Sequence, residues 1–165
     1  MNGMNHDLYN VVFSRPLTLL ERNLAAGMFG DAIDYGRVRI HRRTWWPFQP
    51  RWTTMAPDGH LWFHPKAPHY HDCFGCADLN AQAHFIHEMT HIWQAMRAGK
   101  WWLPLMRHPF CRYGYKIVPG KPFERYGIEQ QAEIVKHAFL SRNGATIPEQ
   151  ALRKDLEALL PFGIA

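Results

Sequence analysis

The strongest chemical signal in this sequence is the segment His87-Glu88-Met89-Thr90-His91, which places two histidines four residues apart. On a helix such residues lie one turn above each other, so both imidazoles can bind one metal ion. Glu88 points about 100° round the helix from His87, where its carboxylate can take a proton from a water molecule. This HExxH spacing predicts a zinc site with Glu88 as general base. The alternative is two partly exposed histidines on a structural helix.

A catalytic zinc has three protein ligands and one open position, so a third ligand must come from elsewhere. The best candidate is Glu129, which shares one face of a later predicted helix with Glu133. Glu129 could bind the metal while Glu133, one turn on, accepts the N–H of a ligand histidine. The same spacing fits two solvated acids on a helix face, and Glu124 and His108 are rival third ligands.

Amide hydrolysis also needs a hydrogen-bond donor for the developing oxyanion. Tyr113, Tyr115 and Tyr126 are the candidates, because a phenol donates without titrating near neutral pH. Tyr115 and Tyr126 are predicted as catalytic residues, with a core or rim aromatic as the alternative for each. His84 is predicted to line the cleft wall, since it lies one turn before the first motif histidine.

Composition describes one globular domain rich in histidine. The chain has 165 residues, of which 47% are hydrophobic and 20% charged, and its 11 histidines favour a metal or catalytic site. A net charge of +5 permits contact with nucleic acid, anionic lipid or an acidic polymer without requiring it. The basic cluster at residues 37–43 is predicted to be a solvated strand face.

Three cysteines exclude a complete disulfide framework. Cys73 and Cys76 form a CxxC, and a structural zinc there would need His69, His71 or Cys111 as further ligands. The preferred interpretation is a loop with two free thiols. The sequence shows no signal peptide and no apolar run long enough for a membrane span, so we expect a cytoplasmic protein as synthesised.

Capping signals and hydrophobic periodicity predict the elements that position these residues. Residues 1–15 are predicted to be a loose leader and residues 16–165 a single domain. The first helix has Leu20, Leu24 and Met28 as its apolar stripe. In chain order we predict first a helix from a capping box at 18–21 to Gly30, then a strand over 37–43 and a hairpin in which 51–55 pairs with 60–64. The motif helix is predicted to run from Asp78 or Asn80 to Gly99. A helix over 126–140 follows, and a terminal helix begins at a capping box at 146–149. The fold class is α+β, with a small, mostly antiparallel sheet packed on the motif helix.

The chain resembles the zincin metallopeptidases of the gluzincin type, in which HExxH is followed by a glutamate on a later helix and an acid four positions further on. It is more closely similar to small bacterial Vgr-related metallopeptidase-like proteins associated with type VI secretion loci, and to such domains of injection-system and polymorphic-toxin proteins. The matching segments are RPLTLLE (15–21), FGDAIDYGRVRIH (29–41), HFIHEMTHIWQ (84–94) and YGIEQQAEIV (126–135).

The resemblance implies a zincin-like fold with zinc held by His87, His91 and Glu129, Glu88 as general base, and Glu133 behind a ligand histidine. Related families often have aspartate where this chain has Glu133. The implied activity is zinc-dependent hydrolysis of amide bonds in a protein, a peptide or cell-wall peptide. The resemblance also implies export by a contractile type VI route and a VgrG- or Rhs-type secretion partner.

Two other functions fit the same motif. One is a non-catalytic, zinc-stabilised accessory module of a secretion apparatus. The other is a SprT-like nucleic-acid-associated protease, although such enzymes use a third histidine rather than a glutamate, and nucleic acid is not the expected partner.

Overall fold

The computed structural model describes residues 14–99, 112–147 and 153–162. Over these residues the chain is α+β, with one three-stranded sheet and four α-helices. The strands are β1 (Ser14–Pro16), β2 (Arg39–His41) and β3 (Leu61–Trp62). The helices are α1 (Leu19–Phe29), α2 (Leu79–Ala98), α3 (Ile128–Arg142) and α4 (Arg153–Leu159), with 3-10 turns at Phe74–Cys76 and Phe123–Arg125.

The sheet has the order β1-β2-β3, antiparallel between β1 and β2 and parallel between β2 and β3. Ser14 and Arg15, assigned to the leader from the sequence, belong to β1. The predicted hairpin is reduced to one antiparallel bridge, in which the backbones of Met55 and Trp62 exchange bonds of 3.1 and 2.8 Å.

The buried side chain of Gln49 bonds to backbone groups that the predicted hairpin would have paired. The Gln49 amide accepts from the backbone of Trp45 at 2.8 Å and donates to the carbonyls of Thr53 and Trp62 at 2.9 and 3.0 Å. Because the amide satisfies backbone groups across the loop, residues 45–53 need no strand ladder to stay ordered. Sequence periodicity does not show such a side-chain link.

The predicted capping box of α1 is confirmed. Thr18 accepts from the backbone of Glu21, whose carboxylate accepts from the Thr18 backbone at 2.8 Å. The predicted apolar stripe is wrong at Leu20, which is 50% exposed, whereas Met28 is buried. The buried face runs instead through Glu21, Ala25, Met28 and Phe29. The face is shifted because Arg15 neutralises the glutamate, which can then be buried.

The limits of α2 agree with the prediction, since Asp78 caps its first turn and Gly99 its last. An amphipathic helix on a protein surface buries one face and exposes the other. In α2, however, every residue of 85–95 is buried, including those on the side of the motif histidines. That side is covered by α3, which packs along α2. The motif side chains are therefore enclosed by protein rather than displayed on a surface.

Stacked aromatic rings join the sheet to α2. Phe63 follows β3 and stacks on Phe74 of the 3-10 turn at a centroid distance of 5.4 Å, and Phe74 stacks on Phe85 of α2 at 5.3 Å. All three are buried, so their apolar area and ring contacts hold α2 in place. The core therefore fixes the orientation of the helix that carries the HExxH motif.

The carboxyl-terminal part of the described chain closes the other end of α2. Phe162 lies 4.8 Å from the ring of Phe29 and 5.1 Å from that of Trp93. In α4, Leu156 is buried as its predicted amphipathic pattern requires. The capping box predicted at residues 146–149 is only partly covered, because residues 148–152 lie outside the described residues. None of the described helices combines the length and apolarity that crossing a membrane requires.

Candidate metal centre

Three of the predicted ligand atoms converge between α2 and α3. Nε2 of His91 lies 3.2 Å from Nε2 of His87 and 3.2 Å from Oε2 of Glu129. The distance from Nε2 of His87 to Oε2 of Glu129 is 3.4 Å. All three residues are buried, and they form a group of ligand atoms within 4.8 Å of one another. Among the described residues, no other such group of three or more is found.

These distances fit a tetrahedral zinc ion. Ligand atoms at about 2.0–2.1 Å from a tetrahedral zinc are about 3.3 Å from one another, close to the three separations in this cluster. Two imidazole nitrogens and one carboxylate oxygen are also the donor set of a known class of catalytic zinc site. The geometry and chemistry of the three side chains therefore suit zinc.

An acceptor oxygen lies next to Nδ1 of each histidine, on the side of the ring away from the cluster. Nδ1 of His91 lies 2.8 Å from Oε1 of Gln94, and Nδ1 of His87 lies 2.9 Å from Oε1 of Glu133. The His87–Glu133 contact is an ion-pair contact rather than an aligned hydrogen bond. Because both partner atoms are acceptors, a proton on each Nδ1 would leave each Nε2 lone pair directed at an ion bound in the cluster.

Gln94 was not identified from the sequence. Its side-chain nitrogen donates to the carbonyl of Ile128 at 3.0 Å and to Oε1 of Gln131 at 2.9 Å, which orients its oxygen toward His91. The available signal was position, since residue i+3 from a helical ligand lies on the same side of the helix. Gln94 also ties the motif helix to the first turn of α3, which carries Glu129.

Electrostatics within the cluster favour a positive charge. Burial disfavours the charged imidazole of His87, but contacts with Glu129 and Glu133 outweigh burial and raise its pKa to about 9. Burial likewise opposes ionisation of Glu133, yet His87 and Lys136 lower its pKa to about 2. A site that retains a proton so firmly is one whose field suits a cation.

Glu88 lies beside the cluster with one oxygen left without a partner. Its side chain is buried, its Oε1 is 3.9 Å from Nε2 of His84, and its Oε2 has no hydrogen-bond partner among the residues that the structure describes. A buried carboxylate oxygen without a donor is costly to the fold. Such a cost is expected where the atom must be available to something that binds.

A histidine pair flanks Glu88 on the side of the sheet. The hydroxyl of Thr54 bridges Nε2 of His84 and Nε2 of His69, at 3.0 Å from each. Burial lowers the pKa of both histidines, only partly offset by the charge of Glu88. His84, predicted to line the cleft wall, is thus held next to Glu88 by a buried threonine that the sequence did not single out.

The tyrosine candidates separate clearly. The hydroxyl of Tyr115 lies 2.8 Å from Nδ1 of His137, whose Nε2 is 3.5 Å from Glu133. The hydroxyl of Tyr126 accepts from the backbone of Val118 at 3.0 Å. Tyr115 is therefore connected to the ligands through His137 and Glu133, and Tyr126 supports a loop. Tyr113 is 54% exposed and its ring lies parallel to that of His87, with centroids 6.5 Å apart.

Of the two rival third ligands, the described one, Glu124, is not part of the cluster. Glu124 is exposed in the 3-10 turn before α3. His108 and Cys111 lie outside the described residues. Cys73 and Cys76 are free thiols and are absent from the one ligand group found in the described part of the chain. A cavity of about 1420 Å³, between residues 112–124 and α4, includes none of the three convergent ligands in its lining.

Comparison with known proteins shows that this chain is similar to part of a secretion protein. No family model matches the sequence. The type VI secretion system spike protein VgrG2b of Pseudomonas aeruginosa is 37% identical over 135 residues, which cover 78% of this chain but only 13% of that protein. The solved effector domain of P. aeruginosa VgrG2b matches with a TM-score of 0.67 and 35% identity, covering 78% of this chain and 75% of that domain.

Proposed function

This chain belongs to the family of the VgrG2b effector domain, and on that premise we propose that it is a zinc-dependent metallopeptidase of the zincin, gluzincin-like type. It would hydrolyse amide bonds in a peptide, a protein or cell-wall peptide, with Glu88 as general base. One observation supports this proposal above all. His87, His91 and Glu129 converge at zinc-ligand spacing beside a buried carboxylate that has an unpartnered oxygen.

When bound by these three residues, zinc would supply activation of a water molecule and polarisation of the scissile carbonyl. The remaining steps belong to the protein. Oε2 of Glu88 accepts the proton of the attacking water and later delivers it to the leaving amine, which its lack of a partner permits. Gln94 and Glu133 keep the Nε2 lone pairs of the two histidines directed at the ion.

Tyr113 is the tyrosine that we propose as oxyanion donor. Its ring is parallel to that of His87, and a side chain that is 54% exposed can approach a bound substrate. Tyr115 and Tyr126, the residues predicted from the sequence, have hydroxyls bonded to His137 and to the backbone of Val118. We assign those two to support of the ligand carboxylate and of the loop before α3.

A non-catalytic zinc module would use the same three ligands, but it has no need for the arrangement at Glu88. In a purely structural site, a buried carboxylate oxygen without a donor lowers stability and provides no function. This observation favours the enzyme over the accessory module. Delivery by a type VI secretion system is part of the proposal, because the related domain belongs to a spike protein of that system.

The direct test compares purified wild-type protein with Glu88→Gln on an internally quenched peptide library and on peptidoglycan stem peptides. We expect both proteins to contain one zinc per chain by elemental analysis, and only the wild type to cleave. Glu88→Gln that cleaves an identified substrate at the wild-type rate contradicts the role of Glu88. Wild-type zinc binding without cleavage of any library member favours the accessory module.

Ligand assignment is tested separately by zinc content. Glu129→Gln should lose zinc, whereas Glu124→Gln is the matched control, because Glu124 is an exposed glutamate just before the same helix. His108→Ala distinguishes the SprT-like alternative, in which a third histidine is the ligand. Zinc loss in His108→Ala with zinc retained in Glu129→Gln would replace the gluzincin-type assignment.

A further inference from the structure

Cys73 and Cys76 stand at the two ends of a tight turn just before α2. The backbone N–H of Cys76 donates to the carbonyl of Cys73 at 3.2 Å, which closes the turn. The end Cα atoms of such a turn lie within about 7 Å, and a disulfide needs a Cα separation of about 4.4–6.8 Å. Sγ of Cys73 also lies 3.6 Å from the hydroxyl oxygen of Thr18, which places a polar partner beside this sulfur.

Both thiols can be reached from outside, because Cys76 is exposed and Cys73 is partly exposed. They differ in reactivity. Burial disfavours the thiolate of Cys73, but hydrogen bonds from Cys76 and from the hydroxyl of Thr18 outweigh burial and lower its pKa. The same contact with Cys73 raises the pKa of Cys76. Cys73 is therefore the better nucleophile of the pair.

A metal-binding role for the pair has no support among its neighbours. In the described part of the chain, the one group of three or more ligand atoms is that of His87, His91 and Glu129. His69, one of the three residues that could complete a zinc site at the CxxC, is instead bonded to the hydroxyl of Thr54 at 3.0 Å. Two adjacent thiols without further ligands are typical of thiol–disulfide chemistry.

We propose that Cys73 and Cys76 are a reversible disulfide-forming site, oxidised by the disulfide of a second molecule such as oxidised glutathione. The thiolate of Cys73 attacks one sulfur of that disulfide, whose S–S bond breaks to release a thiolate that takes a proton from solvent. Cys76 then loses its proton and attacks Sγ of Cys73, releasing the second thiol. Two protein thiols are oxidised by two electrons, and one external disulfide is reduced to two thiols.

The position of the turn gives the disulfide a structural consequence. Phe74 donates its backbone N–H to Glu21 of α1 at 3.0 Å, and Gln82 of α2 donates to the carbonyl of Ala77 at 3.0 Å. A covalent bond across the turn would therefore brace the junction between α1 and the helix that carries the HExxH motif. The inference does not depend on peptidase activity, because none of its residues belongs to the metal centre.

The test equilibrates the full chain with glutathione buffers of increasing oxidised fraction, followed by acid quenching, alkylation and intact-mass measurement. The chain has three cysteines, so we expect three alkylated thiols in reducing buffer and one in oxidising buffer. Peptide mapping should locate the bridge between Cys73 and Cys76. Three alkylated thiols at every buffer ratio, a bridge that includes Cys111, or a stable mixed disulfide with glutathione would each overturn the proposal.

Three variants complete the design. Cys111→Ser should still lose two alkylatable thiols on oxidation, whereas Cys73→Ser/Cys76→Ser should show one alkylated thiol in every buffer. Cys76→Ala should shift the pH midpoint for alkylation of Cys73 upward, because it removes the side-chain donor at residue 76. Zinc content should be the same in the double-serine variant as in the wild type. A second zinc lost with the two cysteines would mean that the pair binds metal and would refute the disulfide site.

Discussion

Two buried glutamates on neighbouring helices have opposite environments. Glu21 of α1 and Glu88 of α2 are 0% and 3% exposed. Glu21 accepts four hydrogen bonds: two from Arg15 and one from Thr18 at 2.8 Å, and one from Phe74 at 3.0 Å. Oε1 of Glu88 lies 3.9 Å from Nε2 of His84, and among the described residues its Oε2 has no hydrogen-bond partner. A fully satisfied carboxylate stabilises the fold, whereas an unsatisfied one is available for chemistry.

The largest expected effects come from exchanging each of these glutamates for glutamine. Glu21→Gln should lower the free energy of unfolding by about 3 kcal/mol, because it leaves the partly buried guanidinium of Arg15 without its charged partner. Glu88→Gln should leave stability unchanged or higher, yet reduce turnover about 10²–10⁴-fold. Denaturant unfolding and peptide cleavage measure the two effects. Equal loss of stability in both variants would break the comparison.

The next largest effect is expected at the rim of the metal centre. Tyr113→Phe should lower kcat about 10²-fold with little change in KM or zinc content, since the hydroxyl donates mainly to the oxyanion. Tyr126→Phe is the control, because its hydroxyl accepts from the backbone of Val118. It should change thermal stability and leave kcat nearly constant. The reverse pattern would return the oxyanion role to Tyr126.

The contact of Glu133 with the ligand His87 is also expected to affect zinc affinity. Glu133→Gln should weaken zinc affinity about 10–100-fold, because the carboxylate behind His87 orients that ligand and raises its basicity. Competition with a chelating dye gives the affinity. Glu157→Gln, which disrupts the remote ion pair with Arg142, should leave zinc affinity unchanged. Equal affinity in the two variants would show that Glu133 does not position the ligand.

On the structural side, Gly75 allows the close contact that lets Phe74 bond to Glu21. A Cβ at residue 75 would lie 2.6 Å from Cβ and 2.7 Å from the carbonyl carbon of Leu20. Gly75→Ala should therefore lower the free energy of unfolding by about 1–3 kcal/mol through overpacking. Gly114→Ala is the control, since an added Cβ there meets no atom within 4 Å. Denaturant unfolding of both variants measures the difference.

The smallest expected effect is a change in how stability depends on pH, and it concerns another buried atom without a hydrogen-bond partner among the described residues, Nδ1 of His41. Burial, His60 and Arg43 lower the pKa of His41 from 6.5 to about 4, so the folded protein prefers its neutral form. Stability is retained above pH 6.5 and falls as the pH is lowered toward about 4. His41→Phe keeps the stacking on Trp62 and should flatten part of this slope. An unchanged slope would exclude His41 as the source.

His41 also marks the limit of the comparison. An unpartnered nitrogen on a neutral ring costs less than an unpartnered carboxylate oxygen, because only the latter carries charge into the interior. An unsatisfied buried atom therefore indicates function when it is charged and lies beside other convergent groups, as at Glu88. His41 lies in the sheet, stacked on Trp62 at 3.9 Å, and has packing as its role.

Features encoded within one or two helical turns could be predicted from the sequence. The capping box at Thr18, the cap at Asp78 and the stop at Gly99 all depend on local hydrogen bonds, and the structure agrees with them. The i, i+4 placement of His87 and His91 is a property of helical geometry alone. These helix limits and two of the three ligands therefore needed no tertiary information.

Contacts between distant segments were decided by the tertiary structure. Glu129 approaches His91 across 38 residues, and the sequence could only rank it above its rivals. Two contacts beside the motif, the hydrogen bond of Thr54 to His84 and the bond from the Gln94 amide to the carbonyl of Ile128, depend on how the loop before β3 and α3 pack on α2. The parallel pairing of β2 with β3 is of the same kind. Helical periodicity is local, whereas these contacts are set by packing and by the need to satisfy every buried polar group.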